Sequence, residues 1–151
     1  MSPATDRPRG ILTPADREFL LGLKEYDHKQ QYSNRRQDIR KRASNALLDF
    51  SLLQHSLRDR DRKRIFQSPA EEAGVEEVQF QESIQSMLYW TYLGLKEQRY
   101  DFEGLLVRAI EEAEKDFARK YFGETVEISV SFDVDVIRSH DIDTLIAKIE
   151  S

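Results

Sequence analysis

From Thr125 to Ile137 the chain alternates without a break: Val126, Ile128, Val130, Phe132, Val134 and Val136 are apolar, and Glu127, Ser129, Ser131, Asp133 and Asp135 between them are polar. A period of two puts the apolar side chains on one face of an extended strand. This pattern restricts the fold more than any other, because a lone strand leaves a row of unpaired amides and carbonyls. Nothing else in the 151 residues repeats it as clearly. A mate is therefore expected in a second copy of the chain, in a short hidden strand around Ile11, or on the edge of another protein. Antiparallel self-pairing would bury Val126, Ile128, Val130 and Phe132 at a homodimer interface. The like charges of Asp133 and Asp135 oppose that pairing, and high salt screens them.

Elsewhere the period is helical. Thr13-Pro14-Ala15-Asp16 has the composition of a helix start, with Thr13 as cap, Pro14 in the first turn and Asp16 spaced for a reciprocal capping box. Gly22 predicts an end near residues 21–24. Asp27 or Ser33 is expected to cap a longer helix over about 28–56, on which Ile39, Ala43, Ala46, Phe50, Leu53 and Leu57 recur at spacings of three and four. The run Arg58 to Arg64 predicts a solvated turn and a short helix ending near Phe66. A helix over about 75–95, curved or divided near Gly94, and another over about 100–121, stopped by Gly123, follow. Asp141 is placed to cap a final helix carrying Ile142, Leu145, Ile146 and Ile149. The expected fold class is α+β and predominantly helical, with a basic helical region (1–66), a candidate hinge (67–78) rich in Pro, Gly and Glu, and an acidic helix-helix-strand-helix region (79–151).

The charge balance divides the chain. Residues 1–66 carry 15 Lys or Arg against 9 Asp or Glu, a net of +6, and residues 67–151 carry 8 against 19, a net of −11. The total of −5 excludes a uniformly basic coat for nucleic acid and leaves room for a local one. That local patch is the segment Arg35-Arg36 and Arg40-Lys41-Arg42. On a helix these cations can neutralise phosphates, and Asn34 and Gln37 carry amides suited to base edges. Asp38 is expected to pair with Arg42 four residues on. Arg60, Arg62 and Arg64 alternate with Asp59 and Asp61, which makes a second phosphate surface weaker. Trp90, Tyr89 and Tyr92 offer stacking faces, yet their apolar neighbours predict a packed helix.

Other chemistry is poorly supported. With no cysteine there is no disulfide or thiolate site, and His28, His55 and His140 are too scattered for a metal motif. The many carboxylates lack the contrasting environments of an acid–base pair. No cofactor, no metal and no enzymatic activity is expected. The polar opening MSPATDRPRG and the lack of a long apolar run point to a cytoplasmic protein without a membrane partner.

The combination ILTPADREFLLG, YSNRRQDIRKRASNALLDFSLL and RDRDRKRIF resembles a family of small, incompletely characterised haloarchaeal and archaeal-virus proteins, over residues 11–66. The positions that carry it are Thr13, Pro14, Asp16, Arg17, Glu18 and Phe19, then Arg36, Ile39, Arg40, Asn45, Leu47, Leu48, Asp49 and Phe50, with Arg60, Asp61 and Phe66. The resemblance implies an archaeal, salt-rich cytoplasm, which the acidic half suits. Together these features favour a double-stranded DNA-binding transcriptional regulator acting as a homodimer. Arg35, Arg36, Arg40 and Lys41 would position the phosphates, with Arg42, less available because of its expected pairing with Asp38, beside them in the same site. The alternative is a protein-interaction or assembly module that meets acidic or basic protein partners.

Overall fold

The computed structural model describes residues 7–67, 74–138 and 146–149. Five helices are bounded: α1 (Pro14–Leu20), α2 (Lys29–Ser56), α3 (Asp59–Gln67), α4 (Glu77–Glu97) and α5 (Phe102–Phe122). Residues 146–149 are helical too. The chain divides into two units, Met1–Ser86 and Met87–Ser151, with the division inside α4. Half of the expected hinge, residues 68–73, lies outside the described residues, as do Asp141, Ile142 and Leu145 of the expected final helix.

Among the described residues there is no strand, and the α+β expectation is overturned by an all-α fold. The alternation at the end of the chain is expressed in exposure alone. Val126, Ile128 and Val130 are half-buried while Glu127, Ser129 and Ser131 are exposed, but no ladder joins the segment to a neighbour. Around Ile11 the backbone bends instead of extending, so the hidden mate expected there is absent. Phe132, Val134 and Val136 stand exposed. A side-chain period is a property of one segment, whereas a β-ladder is a relation between two.

The helix ends follow local chemistry. Thr13 caps α1 as expected: its amide donates to Asp16 Oδ2 at 2.8 Å, and the Asp16 amide donates to Thr13 Oγ1 at 3.2 Å. At the other end Gly22 takes φ 72°, and the Leu23 and Gly22 amides return to the carbonyls of Glu18 (2.9 Å) and Phe19 (3.1 Å). These two bonds form a Schellman motif, which needs a left-handed residue at Gly22. The cap of α2 is His28 rather than Asp27 or Ser33, and its amide donates to Gln31 Oε1 at 3.2 Å. Near the end of that helix His55 Nδ1 lies 2.7 Å from the Ser51 carbonyl. Helix α4 runs through Gly94 and closes with the Tyr100 amide on Leu95 O and the Arg99 amide on Lys96 O, both at 3.0 Å. This second Schellman turn forces Arg99 to φ 61°, a conformation unfavourable for a side chain with a Cβ. Asp101 caps α5 by accepting from the Gly104 amide at 3.0 Å, and Gly123 ends it at φ 64°.

The interior inverts the usual composition. Among the described residues Ala118 is the one buried apolar residue, while Asp16 (0% exposed) and Arg17 (6%) are the buried charged ones. Ring pairs supply smaller apolar contacts, Phe66 on Phe80 at 6.1 Å in the first unit and Tyr92 on Phe102 at 5.0 Å in the second. Trp90 and Tyr89, expected on a helix packed into a core or a subunit interface, are exposed in the single chain, and among the described residues Tyr92 is the one of that trio with a ring partner.

The two left-handed termini make opposite stability predictions. Arg99→Gly relieves the strained turn and is expected to raise unfolding free energy by about 0.5–1 kcal/mol, the left-handed penalty less the entropy of glycine. Gly22→Ala introduces that penalty and is expected to cost about 1 kcal/mol. Urea denaturation of the two variants beside the parent checks both signs.

Candidate nucleic-acid interface

The N-terminal half of α2 presents two faces. Tyr32, Arg35, Ile39, Arg42, Ala43 and Ala46 are half-buried, and their spacings of three and four place them on one side. Asn34, Arg36, Gln37, Arg40 and Lys41 are exposed on the remainder. Arg35 and Arg42 thus sit in the register of the apolar stripe, seven residues apart and two turns along the same face. Charges in that register need a counter-charge.

Asp16 of α1 supplies it. Its carboxylate is fully buried, with Arg35 Nη1 at 3.2 Å from Oδ1 and Arg42 Nη2 at 2.5 Å from Oδ2. The Thr13 amide and hydroxyl both donate to Oδ2 at 2.8 Å. The Arg42 contact is a close approach of charges without an aligned N–H, so Nη2 and Nε of Arg42 remain buried without a hydrogen-bond acceptor. The Arg42 expected to pair with Asp38 therefore turns to α1 instead. Around this knot Arg35 Nε donates to the Tyr26 hydroxyl at 3.0 Å, and the Tyr26 amide donates to the Tyr32 hydroxyl at 3.0 Å. The Tyr26 and Tyr32 rings meet edge-on at 5.1 Å, with Phe19 5.9 Å from each.

Burial pushes the Asp16 carboxyl up. The Thr13 amide and hydroxyl and the Arg42 guanidinium outweigh that, and hold it at about 2 against an ordinary 3.8. The Tyr26 hydroxyl that accepts from Nε pushes the Arg35 pKa up against the opposing effect of burial, with Asp16 adding to the rise.

This arrangement sorts the seven expected contact residues. Arg35 and Arg42 are spent within the chain, each keeping about a quarter of its side chain accessible (26% and 25%). Arg36 lies over the Phe19 ring at 5.9 Å from its centroid and remains exposed. Arg40, Lys41 and Gln37 are exposed, and Asn34 accepts from Gln30 Nε2 at 3.0 Å. In the second basic segment two cations pair locally, Arg58 with Asp61 at 3.7 Å and Arg62 with Asp59 at 3.0 Å. Val126, Ile128, Val130 and Phe132, expected at a dimer interface, lie in the second unit on the ladderless segment. His140 lies outside the described residues, and among the described ones no three His, Asp or Glu side chains gather as a metal site. No helix of the described residues is long and apolar enough to cross a membrane.

The fold and the knot together define an all-α protein whose basic helix is fastened to a capping turn by a buried carboxylate. The chain belongs to the DUF8102 family, a domain of unknown function, matched over residues 11–151. No curated protein and no solved structure matches it.

The depressed Asp16 carboxyl sets the acid limb of stability. Its contribution is present in full above the unfolded value of 3.8 and is lost as pH falls through about 2, a loss of ~2 kcal/mol. Asp16→Asn should be destabilised by about 2–4 kcal/mol at pH 7, because it leaves two guanidinium groups without their anion. Between pH 5 and pH 2 it should lose about 2 kcal/mol less than the parent, for want of that titration. Urea denaturation at pH 7, 4 and 2 measures both effects.

Proposed function

We propose that the protein associates with nucleic acid, double-stranded DNA above all, through the outward face of α2. One observation carries this reading: Asp16 holds the inward arginines of a long helix, and Arg36, Arg40 and Lys41 stand beside Gln37 on its exposed side. A helix held along one face presents the other in a fixed orientation. Cations arrayed on it gain phosphate affinity through counterion release, and the neighbouring amide can reach a base edge. Asp38 lies among them and reduces the local charge. Binding and occupancy, without chemical turnover, are the mechanism, and transcriptional control in an archaeal, salt-rich cytoplasm is the setting the resemblance over residues 11–66 favours. Such salt weakens contacts made to phosphate alone, so contacts that read the grooves carry more of the affinity there.

A second reading, an assembly module, is favoured by the exposed apolar side chains beyond the knot. Past Ala46, Leu47, Leu48, Phe50, Leu52 and Leu53 of α2 are 45–74% exposed, and they surround the helix instead of marking one stripe. A helix apolar all round is ordinarily buried. The two readings are compatible if self-association duplicates the basic face.

Equilibrium binding of a duplex across a salt series tests the first reading. Replacing Arg36, Arg40 and Lys41 together with Gln should weaken binding and make the slope of log K against log salt shallower by about 2–3, while circular dichroism stays unchanged. An unaltered slope in the folded variant rejects the assignment. Sedimentation over a concentration series tests the second: a monomer throughout removes self-association.

A further inference from the structure

Arg17 is 6% exposed, yet neither of its terminal nitrogens meets a carboxylate. Nη1 donates to the carbonyl of Arg7, and Nη2 donates to the carbonyl of Pro8 at 2.9 Å. The Nε is buried without an acceptor. Burying a guanidinium in this way is expensive compared with leaving it in water. What the two bonds secure is the position of a backbone segment nine and ten residues upstream. That segment, Arg7-Pro8-Arg9-Gly10, is exposed along its length. Among the described residues neither Arg7 nor Arg9 forms an ion pair. Residues 7–10 also precede the family match, which begins at residue 11.

Two consecutive residues of α1 thus fasten two different basic elements. Asp16 holds α2 by Arg35 and Arg42, and Arg17 holds the segment that carries Arg7 and Arg9. Because one turn of α1 anchors both, the arm is set at a fixed place relative to the basic helix face. Pro8 restricts its own φ and biases Arg7 away from the helical region, so the arm is a narrow chain that does not wind up. A narrow basic chain beside a basic helix is the pairing by which a helix occupies the major groove while an arm enters the adjacent minor groove. The minor groove is about 6 Å wide, and over A·T tracts it narrows further and attracts arginine by its enhanced negative potential.

We propose that Arg7-Pro8-Arg9 is a second nucleic-acid contact, an arm held by Arg17 that places Arg7 and Arg9 in the minor groove of A·T-rich duplex DNA. The inference rests on the nucleic-acid reading of α2 and adds the substrate class. Arg17 is a positioning residue in it, acting through the Arg7 and Pro8 carbonyls.

The full chain is titrated against two duplexes of equal length, one with a central A·T tract and one G·C throughout, with and without a small minor-groove ligand such as netropsin. The parent is expected to prefer the A·T duplex by roughly tenfold, and the ligand to abolish that preference. Arg7→Gln with Arg9→Gln, two exposed changes that leave the folded core untouched, should erase the preference and retain the weaker binding through α2. Arg17→Met keeps both arm charges and should lose the discrimination while the salt slope stays near the parent's. Should that variant not fold, the double variant carries the test alone. If the parent binds neither duplex, the reading of α2 falls and the arm falls with it. If the parent binds both duplexes equally and the double variant binds as the parent does, the arm is wrong and α2 stands. If the double variant weakens both duplexes by the same factor, the arm meets phosphates and the groove assignment is overturned.

Discussion

The structure of the first unit depends on one buried carboxylate. Asp16 is fully excluded from water, and it stays ionised because Thr13 donates twice to it and Arg35 and Arg42 bring two positive charges against it. A carboxylate in that position without those partners would be driven to its neutral form. The same contacts decide what α2 can offer. Two of its five clustered cations are consumed in holding the helix to α1, and the remaining three are turned outward by that consumption. The binding face is therefore a consequence of the clamp and not of the raw charge count.

Apolar burial has an unusually small part beside this polar knot. Ala118 is the one buried apolar residue among those described, and long runs of α2 and α4 expose Leu, Phe, Tyr and Trp. Polar and ionic contacts of this kind are directional, so they fix register and orientation more strongly than they add net stability. That suits a helix whose work is to present side chains. It also leaves the apolar stripe of α2 half used, half-buried as far as Ala46 and exposed at Phe50 and Leu53.

Much of the helical fold was legible in the chain. The Thr13 capping box, the glycine stops at Gly22 and Gly123, and the extents of α2 and α5 were readable because each depends on residues within a few positions of one another. The role of Asp16 was only half legible. Its capping bond is local, but its ion pairs reach 19 and 26 residues along the chain, a separation no local pattern encodes. A signal did exist: Arg35 and Arg42 share the register of Ile39, Ala43 and Ala46, and charges in a buried register demand a distant anion. Pairing Arg42 with Asp38 satisfied the nearer rule of four-residue spacing and missed the stronger demand. Arg17 gave no such signal, because its partners are main-chain carbonyls and every residue has one.

By itself the sequence determined the approximate helix extents, the Thr13 cap, the glycine stops and the separation of a basic first half from an acidic second half, all of which follow from short-range sterics and from counting charges. It determined the two-residue alternation between Thr125 and Ile137 as well, and that alternation survives in the exposure of Val126, Ile128 and Val130. Only the tertiary structure decided that no ladder forms there among the described residues, since a strand's hydrogen bonds belong to its neighbour as much as to itself. It alone also decided which arginines remain available to a ligand. A guanidinium can satisfy a carboxylate or a phosphate with the same nitrogens, and the nearest anion in three dimensions, Asp16, has taken Arg35 and Arg42.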